Sequence, residues 1–324
     1  MMARKNNSLT LVIVLVILVG VFLLLRVRSR KAESTLQADF IRIDTAQITE
    51  ILLYPQAAQG AELKFFRSGN EWRVSKDKRE APVEAGSMKN MFRELLSIKP
   101  KRLVAVSDTA WDNYRVSDST ATRIVVHEGR KTTLDLYIGR FNVNQQSPQM
   151  YGGYQNRVMG SSYIRPGGQK KTYETEGFLA LSFNQDFDAW RDHLFVRLTK
   201  DDLRKLSFTY PADTGFVLEY RDSVWMVDGM PADSAATADY LSTWSFRRYS
   251  DFRDDFSEPA NADFEVTVES RNMDPVVIRG YTDPEGGFVF HSDMNPETWF
   301  ADRDSSIFKT FLVPKNKFTA RSAN

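Results

Sequence analysis

The stretch that decides the fold is "FVRLTKDDLRKLSFTYP", residues 195–211, because it repeats an earlier stretch, "FIRIDTAQITEILLYP", at residues 40–55. Phe40 and Phe195 stand 155 positions apart. The same offset joins three further pairs: Arg42 with Arg197, Ile48 with Leu203, and Ile51 with Leu206. Self-similarity of this kind indicates two copies of one structural unit.

A hairpin follows each copy of this stretch. "LKFFRSGNEWRV" resembles "LEYRDSVWMV", with Trp72 and Trp225 separated by 153 positions. In each pair of strands the polar residues between the apolar runs are typical of a tight turn. We therefore expect Trp72 and Trp225 to occupy the same place in two similar hairpins.

A helix is predicted after each hairpin, introduced by Pro82 in the first copy and by Pro231 in the second. In "VEAGSMKNMFRELLSI" the apolar residues fall at i, i+3, i+4, i+7 and i+8, which predicts one buried stripe. The stripe consists of Met88, Met91, Phe92, Leu95 and Leu96. The matching places 149 positions further on hold Thr237, Tyr240, Leu241, Trp244 and Ser245.

The rest of each copy is strand-like, with Gly-rich joints such as "YGGY", "PGGQ" and "PEGG" that are typical of turns in an antiparallel meander. Each copy then closes with an apolar helical segment, "GFLALSF" or "SSIFKTFL". The pattern predicts an α+β fold of two similar modules, each an antiparallel sheet with packed helices. The modules are predicted at residues 39–190 and 191–324, and 324 residues suit two domains of ordinary size.

The N-terminus carries the strongest local signal, an uncharged run at residues 9–25 with basic residues on both sides. At about 1.5 Å per residue the run covers roughly 25 Å, which predicts a transmembrane helix. The flanking sequence lacks a small-x-small cleavage site, so we expect an uncleaved anchor. Residues 1–8 are then a cytoplasmic N-terminus, and residues 26–38 form a tether.

Orientation has arguments on both sides. Two basic residues precede the run and four follow it, so the positive-inside rule places the bulk of the protein in the cytoplasm. Long domains can translocate in spite of flanking charge. We predict a single-pass protein of the inner (cytoplasmic) membrane with its main domain extracytoplasmic, partly because of the family resemblance given below.

Composition excludes several classes of site. The chain has no cysteine, which rules out disulfides, thiol catalysis, Cys-ligated zinc and a lipoprotein attachment site. A formal net charge of +1 provides no global field for steering nucleic acid, so no nucleic-acid partner is expected. The content of apolar residues, 42%, indicates a folded chain.

No catalytic motif is present. His193 lies in "AWRDHLF" beside Asp192, either as a base or as a polar residue in a connector, and we favour the connector. His127 and His291 stand in strand-like segments without metal-ligand spacing. Carboxylates in "SDFRDDF" and "DFDAW" have no spacing that distinguishes them from solvated faces, and neither a GxSxG nor a GxxxxGK[ST] motif occurs. We therefore assign no catalytic residue, no cofactor ligand and no metal site.

Several aromatic residues could stack on a sugar or fill a core. They are Trp72, Trp111, Tyr114, Trp225 and Trp244. The helical register of Trp244 and the repeated position of Trp72 and Trp225 favour the core.

Three segments carry a family resemblance: "NEWRV", "AWDNYRV" and the join "DAWRDHLFVRL". From about residue 38 to the C-terminus the chain resembles the bacterial domain-of-unknown-function 4340 family. Its markers here are Trp72, Trp111, Tyr114, Trp190, Arg191 and Asp192. That family usually has a Gly-Leu turn after the Trp-Tyr pair, where this chain has Arg115 and Val116.

The resemblance implies a membrane-anchored envelope protein associated with auxiliary components of ABC transporters of the gliding-motility type, and no established catalytic residue. The function we expect is that of an accessory or scaffold protein that is part of, or docks onto, a membrane protein complex such as an ABC transporter permease. Two alternatives stay open: a module that binds an unknown small molecule in a groove between the two repeats, and an envelope glycan hydrolase with two carboxylates.

Overall fold

The computed structural model describes residues 14–15, 17–22, 40–144, 159–211 and 215–319. The chain forms two compact units. Unit 1 holds the described residues up to Asp77 together with Gly86–Phe187, and unit 2 holds Lys78–Ala85 together with the described residues from Asp188 onward. The chain therefore enters unit 2 twice, whereas the sequence predicted a single passage at residues 190 and 191.

Unit 1 is built on an antiparallel sheet. Its strands are β1 (Ile48–Tyr54), β2 (Leu63–Ser68), β3 (Glu71–Lys76), β5 (Pro100–Ala105), β6 (Thr122–Glu128), β7 (Lys131–Asn144), β8 (Met159–Pro166) and β9 (Thr172–Glu176). Its helices are α1 (Ser87–Ser97), α2 (Trp111–Tyr114) and α3 (Leu179–Phe183). The strands lie in the order β3-β2-β1-β6-β7-β8-β9-β5.

Unit 2 contains a second large antiparallel sheet. The strands of this sheet are β11 (Leu203–Thr209), β12 (Phe216–Arg221), β13 (Val224–Val227), β14 (Met230–Pro231), β16 (Phe264–Ser270), β17 (Met273–Thr282), β18 (Phe288–Ser292) and β19 (Trp299–Asp302). Unit 2 also holds β4 (Arg79–Pro82), which is not part of this sheet, and β10 (Leu194–Val196) and β15 (Arg247–Arg248), which pair with each other. The helices are α5 (Ser234–Ser242) and α6 (Ser306–Phe311), and the one-turn helix α4 (Phe187–Trp190) connects the units along the chain. The large sheet runs β14-β13-β12-β11-β16-β17-β18-β19.

The two sheets share one topology. Seven strands of unit 1, β3-β2-β1-β6-β7-β8-β9, and seven of unit 2, β13-β12-β11-β16-β17-β18-β19, follow the same order. Helix α1 follows β4 and helix α5 follows β14, and each meander ends in an apolar helix, α3 or α6. The α+β class and the two large antiparallel sheets are thus as the sequence predicted, and the shared strand order is what a duplicated unit produces.

The ladders repeat residue by residue. Glu50 pairs with His127 after a register shift that follows Ile48, and Lys205 pairs with Glu269 after the same shift. A register is fixed by which side chains face the core, because a slip of one residue turns every side chain to the other face. The repeat seen in the sequence therefore reflects a repeated pattern of burial.

The two hairpin turns have different sequences, but both place a tryptophan at the same position of the second strand. Gly69 has φ +61°, which suits the first central residue of a type II′ turn. Asp222 and Ser223 have φ +50° and +68°, as both central residues of a type I′ turn require. Trp72 then faces Arg67 across the hairpin, with the guanidinium 5.0 Å from the ring, while Trp225 pairs with Tyr220 at 5.5 Å.

The core of unit 2 is aromatic. Trp244 and Tyr240 are fully buried and meet Phe311 and Phe318 edge-on at ring separations between 4.8 and 5.2 Å. The core assignment for Trp244 is confirmed, whereas Trp72 and Trp225 are only partly buried. On α1 the predicted stripe is buried at Met88, Met91 and Leu95, but Phe92 is only partly buried and Leu96 is 48% exposed.

The predicted transmembrane span, residues 9–25, falls largely outside the described residues. The parts that are described, residues 14–15 and 17–22, are helical. Within the described part of the chain, none of the helices has both the length and the apolar character needed to cross a membrane.

Candidate functional site

Unit 1 has an open groove beside α1, which we call the α1 groove. It has a volume of about 760 Å³ and is lined by Thr45, Trp72, Met88, Lys89, Phe92, Arg93, Leu96 and Ser97. Trp72 forms one wall and meets the ring of Phe92 edge-on at 5.8 Å. The exposed Leu96 extends this apolar surface along the helix, so the groove presents a continuous apolar strip to solvent.

Unit 2 shows that the fold does not require this strip. With Pro82 aligned on Pro231, Phe92 corresponds to Leu241, which is 2% exposed, and Leu96 corresponds to the polar Ser245. Helix α5 thus has the same place in its unit without presenting apolar side chains at these positions. The strip on α1 is therefore not a requirement of the fold that the two units share.

The groove is bordered by positive charge. Lys89 and Arg93 stand at i and i+4 on α1, so they project from the same side of the helix beside the apolar strip. Arg93 donates a hydrogen bond to the side chain of Asn90 at 2.9 Å. Among the described residues that line the groove, none is acidic. Sequence reasoning missed this site, although basic residues beside the apolar stripe were its signal.

His193, the candidate base, is held by contacts on both ring nitrogens within unit 2. Nε2 lies 2.7 Å from the carbonyl oxygen of Asp188, and Nδ1 lies 3.1 Å from the guanidinium of Arg248. A carbonyl oxygen only accepts and a guanidinium only donates, so this arrangement selects the Nε2–H tautomer. The ring also stacks on Phe252 at 5.4 Å.

The residues around His193 fasten the segment 78–85 to the second stretch of unit 2. Glu84 accepts from the backbone N–H of His193 at 3.0 Å and forms an ion pair with Arg248 at 2.8 Å. The backbone N–H of Asp192 donates to the carbonyl of Pro82 at 2.9 Å. Burial raises the pKa of the Asp192 carboxyl above its usual value of 3.8.

Arg191 is the most buried charge of this region, with a side chain 3% exposed. Its guanidinium lies 2.6 Å from the carboxylate of Asp254 and 4.0 Å from the ring of Phe252. Asp254 also pairs with the more exposed Arg79 at 3.1 Å. Arg191, one of the three family markers at the join, is therefore part of a structural clasp formed by Arg79, Glu84, Arg191, His193, Arg248, Phe252 and Asp254.

The other candidates are dispersed. Nδ1 of His127 lies 3.2 Å from the hydroxyl of Thr132, and His291 packs on Trp299 with ring centroids 4.6 Å apart. No group of three or more histidine or carboxylate side chains in the described ranges is placed to hold a metal ion.

Trp111 and Tyr114 lie beside a buried cation in unit 1. The guanidinium of Arg165 is 3.9 Å from the ring of Trp111, and its Nε donates to the carbonyl of Val116 at 2.8 Å. The hydroxyl of Tyr114 donates to the carbonyl of Val104 at 3.4 Å. These contacts position α2 against the sheet and account for both aromatic residues structurally.

One family model matches the chain, described as "Domain of unknown function (DUF4340)", over residues 72–265. The match begins at Trp72 on the groove wall, continues through the clasp and ends in β16, and it covers more than half of the 324 residues. No curated protein and no solved structure matches the chain.

Proposed function

This chain belongs to the DUF4340 family, and we propose that it serves as a membrane-anchored extracytoplasmic accessory or scaffold protein that docks onto a membrane protein complex of the ABC-transporter type. The observation that supports the proposal is the α1 groove, an apolar strip with a basic border that the equivalent helix of unit 2 lacks. Docking of this kind needs no reacting group.

The occupant that suits the groove is an amphipathic helix of a membrane protein partner. An apolar strip beside a helix accepts the apolar face of another helix, read at i, i+3, i+4 and i+7 positions. Lys89 and Arg93 would face acidic residues along the edge of that helix, which favours the correct partner and speeds encounter. Because Leu96 is 48% exposed, burial of its remaining area would contribute roughly half of the 1.5 to 3 kcal/mol that full burial of such a side chain is worth.

The position of the groove in the chain supports a partner at the membrane. Thr45, on the groove wall, follows the end of the apolar run at Leu25 by 20 positions. Even a fully extended connection of that length spans at most about 70 Å. If residues 9–25 anchor the chain, the groove cannot move far from the bilayer surface.

The absence of cysteine makes a clean crosslinking test possible. Leu96→Cys in the full chain is labelled with a photoactivatable maleimide and irradiated in native membranes, and the adducts are identified by mass spectrometry. Ser245→Cys, at the matching position of unit 2, is the control. We expect one or a few membrane proteins to be captured from position 96 and not from position 245.

The proposal fails if position 96 captures only lipid or glycan, or if both positions capture the same proteins. A second variant, Leu96→Ser, copies the residue found in unit 2. Because Leu96 is 48% exposed, we expect this change to lower the free energy of unfolding by no more than about 1 kcal/mol. It should nevertheless reduce copurification of the captured partner.

Membrane orientation is tested with the same control variant. Ser245→Cys in intact spheroplasts should react with a membrane-impermeant maleimide if the main domain is extracytoplasmic. Reaction only after lysis would place the domain on the side that the flanking charges favour. The two alternatives, a ligand module and a glycan hydrolase, stay predictions, and recovery of glycan in the crosslinking experiment would favour the second.

A further inference from the structure

Unit 1 contains a second opening, a cleft of about 280 Å³ that is separate from the α1 groove. Its polar lining residues are Gln56, Arg115, Ser119, Thr120, Thr122, Arg140 and Asn184. No acidic side chain is found among the described residues of its lining. The lining therefore combines two arginines with hydroxyl and amide residues and contains no carboxylate, and the guanidinium of Arg140 lies 5.3 Å from the ring of Tyr163 beside the cleft.

Two backbone irregularities bring the arginines to this cleft. Arg140 lies in a bulge of β7, where the pairing with β8 shifts register between Ile138 and Phe141. Bulges redirect side chains and are frequent beside functional sites. Arg115 closes α2 with φ +54° and ψ +42°, in the left-handed region that normally favours glycine.

Gly139 allows these two irregular segments to meet. A Cβ at this position would lie 2.1 Å from the carbonyl oxygen of Tyr114 and 2.9 Å from that of Arg115. Only glycine lets the backbone of β7 approach the end of α2 this closely. The two arginines are thus presented by backbone segments in direct contact.

The amide side chains are already oriented by the fold. The Oδ1 atom of Asn184 accepts from the backbone N–H of Ala57 at 2.8 Å, which leaves the NH₂ group as its donor. Gln56 donates through Nε2 to the carbonyl of Ala121 at 2.9 Å, which fixes its side chain at the rim. The cleft wall is therefore rich in donors, and its geometry is held by contacts outside the cleft.

Unit 2 again lacks the feature. The ladder that pairs Thr122 with Ile138 corresponds to the one that pairs Phe264 with Gly280, so the residue after each, Gly139 or Tyr281, occupies the same position. Tyr281 is 2% exposed and donates a hydrogen bond to Glu258 at 2.7 Å. A buried aromatic side chain in unit 2 replaces the glycine that lines the cleft in unit 1.

We infer that this cleft binds a small phosphate group, either free or as the phosphate ester of a small molecule. Two arginines, three hydroxyl residues and an amide NH₂ group offer donors from several directions, which suits a tetrahedral oxyanion with several acceptor oxygens. The volume suits such a group rather than a drug-sized ligand. The inference is independent of the docking function proposed above.

The test uses the full-length chain in detergent micelles at low ionic strength, with inorganic phosphate as the probe. Binding is followed by isothermal titration and by the change in Tm, against chloride at matched ionic strength and against acetate. We expect phosphate to bind and to raise the Tm. Acetate should bind at least about tenfold more weakly, because a planar carboxylate uses fewer of the donors.

Arg115→Gly is the most informative variant, because glycine relieves the left-handed strain while removing the guanidinium. It should fold at least as stably as the wild type and lose phosphate binding at least about tenfold. Arg140→Gln should lose a similar factor, and Arg130→Gln, which removes an exposed arginine from the β6–β7 turn outside the cleft, should bind like the wild type.

Three outcomes would overturn the inference. The wild type could show no binding beyond matched chloride. Arg115→Gly and Arg140→Gln could bind phosphate as well as Arg130→Gln does, which would place the anion elsewhere. Acetate could bind as tightly as phosphate, which would make the cleft a carboxylate site. Phosphate binding by the wild type and by Arg130→Gln, together with its loss in Arg115→Gly and Arg140→Gln, supports the inference.

Discussion

Removal of the Arg191 guanidinium should cost unit 2 far more stability than removal of Arg79, although both arginines pair with the same carboxylate, Asp254. The side chain of Arg191 is 3% exposed and that of Arg79 is 41% exposed. The two arginines therefore allow a buried ion pair to be compared with an exposed ion pair that has the same carboxylate as its acceptor. Arg191→Met and Arg79→Met are matched substitutions that keep most of the aliphatic chain.

The magnitude follows from burial. Removal of one partner from a buried ion pair costs about 3 to 5 kcal/mol when it leaves a charge without compensation. Asp254 is 28% exposed and keeps Arg79 at 3.1 Å, so only part of that cost applies. Methionine also packs favourably on an aromatic ring such as Phe252. We expect Arg191→Met to destabilise unit 2 by roughly 2 to 3 kcal/mol and Arg79→Met by less than about 1 kcal/mol.

Hydrogen exchange of the full chain measures the loss of stability in unit 2 separately from unit 1. A separate measurement is needed because a protein of two units need not unfold in one step. Peptides from β10 and β11 should exchange between about 30-fold and 150-fold faster in Arg191→Met, because every 1.4 kcal/mol corresponds to a factor of ten. Peptides from β6, in unit 1, provide the internal reference. Equal acceleration in the two variants, or a change of less than fivefold in Arg191→Met, would refute the argument from burial.

Three further changes test other parts of the structure. Gly139→Ala should destabilise unit 1 by about 2 to 3 kcal/mol in thermal unfolding, because its Cβ would lie 2.1 Å from the carbonyl oxygen of Tyr114; an unchanged Tm would contradict the close contact. Asp302→Ala should cost unit 2 about 2 to 3 kcal/mol, since this 1% exposed carboxylate accepts from the backbone N–H of Ile307 at 3.0 Å at the start of α6; denaturant titration measures the loss. Asp192→Asn should stabilise unit 2 at pH 7 and have no such effect below pH 3.8. Burial raises the pKa of the Asp192 carboxyl above 3.8 in the folded state, so the wild-type unit loses stability as the pH rises from 3.8 through the folded-state pKa. An equal effect of the substitution at both pH values would exclude this cause.

The fold could be predicted where the sequence repeats a pattern of burial. The correspondence of Phe40 with Phe195 and of Trp72 with Trp225 in the sequence repeat indicated two copies, and the two sheets share one strand order. Turn chemistry was equally local: Gly69 in one hairpin and Asp222 in the other both reach positive φ. Alternating burial and tight turns depend on residues close together in the sequence, so they can be recognised without a structure.

The clasp could not be predicted, because it joins residues more than a hundred positions apart. Glu84 and His193 are separated by 109 positions, and neither carries a motif that indicates the other. The periodicity of α1 likewise gave no means of distinguishing a buried Leu95 from an exposed Leu96, since a helical stripe is the same pattern whether a core or a partner covers it. The sequence pattern therefore predicted core packing for residues that line the groove.

Because the two units share one sheet topology, matching positions in them can be compared directly. A feature that appears in one unit and is absent at the matching position of the other is not needed to form the shared sheet, because the other unit forms that sheet without it. The exposed Leu96 against Ser245, and the open Gly139 against the buried Tyr281, are two such differences. Both leave unit 1 with an opening that costs stability, by exposing apolar area at α1 and by holding Arg115 in a left-handed conformation. Since folding alone supplies no reason to accept these costs in only one copy, both differences are what the two proposed binding functions of unit 1 would require.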